Sequence, residues 1–307
     1  MSAFDAVLLV AFGGPTASDE IRPFLERVAQ GRGIPPERLL EVARHYERLP
    51  GGRSPLNELT FAQARALEAE LAAGGAALPV FVGMRNWHPF LHDTLDAMAD
   101  KGLTRAVGVI LSAFRTEASW ERYQQDVADA RARVAAAPAV AFAGAWLAHP
   151  QFVDAVADRA RAAFAGVPAA ERARTPLVFT AHSVPVAMAG ASPYVADFTT
   201  ASRAVAERLG HARWSLAYQS RSGSPGEPWL GPDVGEELAR LADAGERHAV
   251  VMPIGFLCDH VEVLYDLDVE ARELAAARGL TMHRAAAVNA HPAFIAMLAD
   301  LVRSTGR

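Results

Sequence analysis

AVVMPIGFLCDHVEVLYDLDVEARELAAARGLTMHRAAA, residues 249 to 287, holds one whole unit of architecture. An apolar run (249 to 255) leads into a stretch of helical period, and a second, weaker apolar run closes it (281 to 287). Strand, helix and strand in that order is the repeating unit of a parallel sheet covered by helices. Val263, Leu264, Leu267, Ala271 and Leu274 make the helix's apolar stripe. Beside it, Glu262, Asp266 and Glu270 recur every four residues. At about 100° per residue they drift only about 80° around the axis and form a carboxylate ladder. Like charges so spaced repel by a few tenths of a kcal/mol per pair when exposed, and by more when buried. The ladder reads either as the wet edge of an amphipathic helix or as a place for cations. Asp259 and His260, directly after the strand, add oxygen and nitrogen donors of the kind divalent ions take.

The same alternation runs along the whole chain. Candidate strands are 6 to 12, 79 to 84, 106 to 112 and 139 to 145, then 177 to 183, 215 to 220, 249 to 255 and 281 to 287. Four and four imply two similar halves, 1–150 and 151–307, each a four-stranded parallel sheet flanked by helices. LLVAFGGP and LVFTAHSVP each open a half as strand, turn and proline, a weak repeat. Ligands of open parallel sheets collect beyond the carboxyl ends of strands. The turns after Phe12, Ala181, Gln219 and Pro253 are therefore expected to face one cleft.

Composition narrows the function. The 307 residues are 51% hydrophobic and 21% charged, a globular balance with a net charge of -5. A general nucleic-acid surface needs clustered Lys and Arg, which a mildly acidic chain with dispersed arginines does not offer. Cys258 is the only cysteine, so neither an intrachain disulfide nor a four-cysteine cluster can form. The start lacks a basic n-region, and no apolar run reaches the ~18 residues of a membrane helix. These features predict a cytoplasmic, soluble protein.

Other motifs carry two readings each. His182 closes a strand in FTAHSVP, where a lone histidine is more often structural than reactive. Ser183 beside it lacks a G-x-S-x-G elbow, which disfavours a serine hydrolase. Gly13 and Gly14 lack both the dinucleotide fingerprint and the Walker lysine, which disfavours nucleotide binding. The loop QSRSGSPGEPWLGPD (219 to 233) reads as a surface loop anchored by Trp229, or as a wall for a flat apolar ligand. GMRNWHPF (83 to 90) has the same two readings.

Together, GFLCDHVEVLYDLDVEA, TAHSVP, YQSRSGSPGEPWLGPD, GGRSPLNELT and AFGGP closely resemble ferrochelatase over nearly the whole chain, above all the bacterial type acting on coproporphyrin III. The resemblance implies two Rossmann-like domains of the class II chelatase kind around a porphyrin cleft. It also implies insertion of ferrous iron, as substrate, into coproporphyrin III in haem biosynthesis. His182 and Glu262 match the family's catalytic, metal-handling pair, expected to face each other across the cleft. Asp266 and Glu270 match an acidic path for metal or protons on a helix with π character, and His260 matches the histidine of the DH-x-E motif. Porphyrin contacts fall on Phe12, His45, Tyr46, Ser54 and Tyr123. Phe12 stands where many relatives have a tyrosine able to ligate iron; Ala29 and His45 stand where arginines occur, and Arg32, Arg44 or Arg115 are the compensating candidates.

The resemblance further implies no prosthetic group, no iron-sulfur cluster, a monomer, and downstream haem-pathway enzymes as partners. Inserting iron requires that the ion shed water and that pyrrole N–H protons leave. Imidazole exchanges protons near neutral pH, and a carboxylate serves as base or ligand. Carboxylates one turn apart can pass a cation along, their repulsion weakening any single bound state. The sequence leaves open which of His182 and Glu262 takes the proton. Protoporphyrin IX as substrate, a cobalt or nickel chelatase, and a non-catalytic tetrapyrrole carrier are the alternatives.

Overall fold

The computed structural model describes residues 4–31, 35–222 and 226–305. Arg32 and residues 223 to 225 of the Gly/Pro-rich loop lie outside the described residues. Two compact units are present: Met1–Leu111 with Ala118–Ala145 and Phe294–Arg307, and Ser112–Glu117 with Trp146–Ala293. Residues 294–305, numbered with the second half, thus pack in the first unit, where Arg303 donates to the Glu70 carbonyl at 3.2 Å.

The first unit holds β1 (Ala6–Ala11), β2 (Val80–Met84), β3 (Arg105–Ile110) and β4 (Ala139–Phe142). The second holds β5 (Leu177–His182), β6 (Trp214–Gln219), β7 (His248–Met252) and β8 (Thr281–Arg284). All pairings are parallel, and the two sheets share one order, β2-β1-β3-β4 and β6-β5-β7-β8. β1 is buried at every position, as a strand covered on both faces must be, which explains its uninterrupted apolar sequence.

In each sheet the chain winds outward in one direction from the first strand and then in the other. The switch falls between β1 and β3 and between β5 and β7, the position where open sheets leave a crevice at the strands' carboxyl ends.

All the strands but β2 end one to three residues earlier than their apolar runs. β7 stops at Met252 because Pro253 has no N–H to continue the ladder. The chain then folds tightly over β5, with the Gly255 N–H donating to the Thr180 carbonyl at 3.0 Å. A Cβ at Gly255 would lie 2.7 Å from both Cα and Cβ of Ala181, so only glycine fits this approach.

The helix after it is not the single α element that its helical period suggests. Helix begins at Val261, as Val261–Leu264, and passes through a π turn, Asp266–Ala271, before regaining α geometry in Arg272–Ala277. Within the π turn the Tyr265 carbonyl accepts from the N–H of Glu270, five residues on, at 3.1 Å. The extra residue in this wider turn shifts the helical phase of every later position. The buried stripe consequently runs Val263, Leu267, Ala271 and Ala275, packing on Val178, Val251 and Leu238. Leu274, assigned to the stripe by α periodicity, is 37% exposed.

Candidate active site

The switch point of the second sheet gathers the ionisable residues. His182 is the last residue of β5, and Glu262 lies in the first turn of the helix after β7, the strand paired with β5. His182 Nε2 is 3.8 Å from Glu262 Oε1, and both side chains keep about a third of their surface open, at 32% and 39%. The two do not face each other across a gap wide enough for a macrocycle. They are neighbours because their strands are neighbours, and they present a joint edge.

Each partner is held by its surroundings. His182 Nδ1 bonds the Ser183 carbonyl. A carbonyl only accepts, so Nδ1 carries a hydrogen, and Nε2 is the ring nitrogen turned toward Glu262. Buried Tyr194 donates its hydroxyl to the His182 carbonyl at 2.7 Å. On the other side, the Glu262 N–H donates to His260 Nδ1 at 3.2 Å, which makes His260 the helix N-cap. Burial, reinforced by His182, pushes the His260 pKa down against the pull of Glu262 and Asp259. A neutral imidazole is the form able to accept that N–H. Gln219, buried at the end of β6, donates to the Glu262 carbonyl at 2.8 Å.

The ladder continues from this pair. Asp266 accepts from the hydroxyl of Ser220, a residue held at φ 62° directly after β6. Burial first, then the Glu262 carboxylate, raise the Asp266 pKa to about 8; the Ser220 bond opposes them, and Glu270 and Asp233 add to the rise. Glu270, one turn further, is exposed. An α step of four residues overshoots a full turn by about 40°, whereas in a π turn it falls short, so the two departures oppose and the acids stay in line. Asp259 is not part of this row: its carboxylate bonds Arg284 Nη1 at 2.8 Å, Asn289 Nδ2 at 2.8 Å and the Ala287 N–H at 3.1 Å.

Ser183 is 2% exposed and donates to the Leu230 carbonyl at 2.8 Å, a structural role that leaves no free nucleophile. The described part of the Gly/Pro-rich loop is zipped onto the chain just beyond His182. Val186 N–H meets the Pro228 carbonyl at 2.9 Å, Leu230 N–H meets the Val184 carbonyl at 3.0 Å, and Trp229 bridges Pro185. Arg115 is engaged within this unit, in a two-bond pair with Asp197 at 2.9 and 3.1 Å.

The five residues expected to contact porphyrin belong to the first unit and to separate elements. Phe12 comes directly after β1, half-buried, edge-on to Phe24 at 6.4 Å. The next residue, Gly13, has φ 84°, and a Cβ there would meet Met84 and the Trp87 amide at 3.0 Å. His45 and Tyr46 lie on the helix Pro36–Glu47, Tyr46 buried and His45 half-buried. Burial, then Arg38, lowers the His45 pKa, so this side chain is disposed to be neutral where an arginine would be a cation. Arg44 on the same helix is exposed. Ser54 is buried just before the helix Leu56–Ala73. Tyr123 sits in the core cluster under β1 and β3, with the Arg85 guanidinium over its ring at 4.2 Å.

Among the described residues no three His, Cys, Asp or Glu side chains converge as a closed metal site. Among them, too, no helix is long and apolar enough to cross a membrane. Tyr194, Gln219 and Ser220 are supports that the motifs alone do not single out. Gln219 and Ser220 were legible as the carboxyl end of the strand beside β5; Tyr194, reaching back twelve residues to a backbone carbonyl, leaves no sequence signal.

The family model described as Ferrochelatase matches residues 4–305. The coproporphyrin III ferrochelatase of Mycolicibacterium smegmatis is 44% identical over 304 residues, 98% of this chain and 89% of that protein. That of Mycobacterium avium is 45% identical over 97% of this chain and 87% of its own length. A ferrochelatase of Rhodopirellula baltica is 42% identical over 98% and 86%. Among solved structures, SirB from Bacillus subtilis aligns with a TM-score of 0.60 at 13% identity over 97% of this chain and 94% of its own. CbiX, an enzyme of sirohaem biosynthesis in denitrifying bacteria, aligns at 0.54 and 15% over 98% and 99%. At such identities these two likenesses speak to the fold alone, and it is the fold of two parallel four-stranded sheets.

Proposed function

This chain belongs to the ferrochelatase family, and from that premise we propose that His182 and Glu262 form the reacting pair that inserts ferrous iron into coproporphyrin III. The protein is a ferrochelatase, an enzyme of haem biosynthesis, and the substrate is the one named for relatives 44% and 45% identical to it. One observation carries the assignment of the pair: an imidazole nitrogen and a carboxylate oxygen 3.8 Å apart, both partly open, at the switch point of a parallel sheet.

Insertion exchanges two pyrrole N–H protons for one Fe²⁺, so the site must remove protons and present a partly dehydrated cation to the ring nitrogens. With Nδ1 donating to Ser183, His182 Nε2 is the free lone pair and accepts a pyrrole proton. The imidazolium so formed lies beside Glu262, whose negative charge stabilises it. A pair of donors, in place of a closed ligand shell, leaves coordination positions for the incoming pyrrole nitrogens. Iron reaches the pair along Glu270 and Asp266. The acids hold it weakly because one of them, Asp266, keeps its proton near neutrality. The reading assigns no prosthetic group to the protein, which works as a cytoplasmic monomer.

Anaerobic mixing of the protein with Fe²⁺ and coproporphyrin III, monitored by the loss of the free-base spectrum, tests this. Metallation of coproporphyrin III faster than protoporphyrin IX is expected. A spectral shift of bound porphyrin without metallation would identify a carrier, and preference for protoporphyrin IX would reassign the substrate.

A further inference from the structure

The helix that carries the ladder also carries an acid that does not belong to it. Asp268 lies two residues from both Asp266 and Glu270, on the far side of the turn, and is gripped by the next strand. Arg284, the last residue of β8, places Nε 2.8 Å from both carboxylate oxygens of Asp268 and Nη2 2.7 Å from one of them. Its Nη1 simultaneously bonds Asp259 at 2.8 Å. The three side chains are 13%, 15% and 24% exposed for Arg284, Asp259 and Asp268, so this is a mostly desolvated fork and not a surface pair. Arg272 adds one bond to Asp268 at 2.9 Å.

The two carboxylates mark two points of the same element. Asp259 immediately precedes His260, the cap that receives the Glu262 N–H, and Asp268 sits inside the π turn. Asp259 is in turn tied to Asn289 on both its N–H, at 3.0 Å, and its carboxylate, at 2.8 Å. One guanidinium thus fixes the start of the helix and its π turn against a rigid strand end. We infer that Arg284 is the positioning residue of the acidic ladder, setting the phase of the helix so that Glu262, Asp266 and Glu270 share one face. The inference rests on the ladder's role in iron delivery proposed above. Without the fork, the π turn loses its tie to β8 and relaxes more readily to plain α geometry, in which the three acids drift by about 80°. Two carboxylates would also lose their shared cation. Lysine keeps the charge but cannot bridge both acids with a planar fork.

Hydrogen exchange and steady-state kinetics on the full chain test this with Arg284→Gln and Arg284→Lys. In Arg284→Gln, amides of residues 259 to 271 are expected to lose protection while the rest of the second unit keeps it. The KM for Fe²⁺ should rise by about tenfold, with the KM for porphyrin within about twofold of wild type. Arg284→Lys should fall between. Arg284→Gln combined with Asp268→Asn should be no worse than the worse single variant, since both remove one interaction. Unchanged exchange over 259 to 271 would overturn the inference, and so would a proportional rise in both KM values. Should the wild type fail to metallate any porphyrin, the functional reading fails, while the exchange measurement still decides whether Arg284 holds the turn.

Discussion

At the imidazole of His182, chemistry is set by what the ring's other nitrogen and its backbone touch. The Ser183 carbonyl selects the tautomer, and the Tyr194 hydroxyl braces the residue's own carbonyl at 2.7 Å. Tyr194→Phe should cost about 1 kcal/mol in a denaturant titration. It should also slow turnover several-fold with little change in either KM, because it loosens the base without touching substrate. Asp266 gives a second expectation, in pH. Its proton is held up to about pH 8 in the folded chain against 3.8 when unfolded. Across that window folding takes up a proton, so this residue's contribution to stability falls as pH rises and levels off above about 8. Asp266→Asn lacks the slope, so its stability relative to wild type should climb between pH 5 and pH 8. A difference independent of pH would contradict the assignment. Residue identities in the second unit were readable from motifs: His182, Glu262, Asp266 and His260 come together around one strand end. That His182 and Glu262 touch, in place of opposing each other across a slot, is a consequence of the pairing of β5 with β7, which no local pattern states.

Elements were the most legible scale, and the exceptions have physical causes. Each expected strand is present, and all but β8 (Thr281–Arg284) form from runs of Val, Ile, Leu, Ala and Phe that, flanked by helices, have few other ways to bury themselves. Strands stop short of the apolar run where a proline or a carboxyl-end turn cuts the ladder, as at Pro253. The π turn was expected on this helix from the family resemblance, but α periodicity alone does not mark it, because its phase is fixed from outside the helix, by Arg284 on a strand thirteen residues beyond Ala271. Gly255 decides whether the Asp259–His260 segment can reach its place at all. Gly255→Ala should destabilise the protein by about 1 to 3 kcal/mol, the cost of forcing a methyl into the Ala181 backbone, and should lower insertion out of proportion to that loss. Thermal melts together with turnover at a temperature where the variant is fully folded check both halves; normal specific activity there would show that the segment's position does not depend on this contact.

Over the whole molecule, one strand order is used twice and charged once. Where the second sheet ends β5 on His182, the first sheet's β1 leads into Phe12 and a pair of glycines, the loop pinned by reciprocal bonds of 2.9 Å between Asn57 and Gly14. The duplicated scaffold was foreshadowed by LLVAFGGP and LVFTAHSVP, but the return of residues 294–305 to the first unit was not, since an amphipathic helix carries no mark of which sheet it covers. The surroundings of the residues expected to contact porphyrin were the least legible part. Tyr46, Ser54 and Tyr123 are buried in their own unit, a placement that matching positions to a family pattern does not reveal. The account as a whole stands on the pair at the second switch point. The most direct test is anaerobic insertion of Fe²⁺ into coproporphyrin III by His182→Ala and Glu262→Gln beside wild type, with porphyrin affinity measured by fluorescence on the same samples. The account predicts a fall in rate of about a hundredfold or more in each variant with porphyrin bound as before; near-normal insertion by either would contradict it.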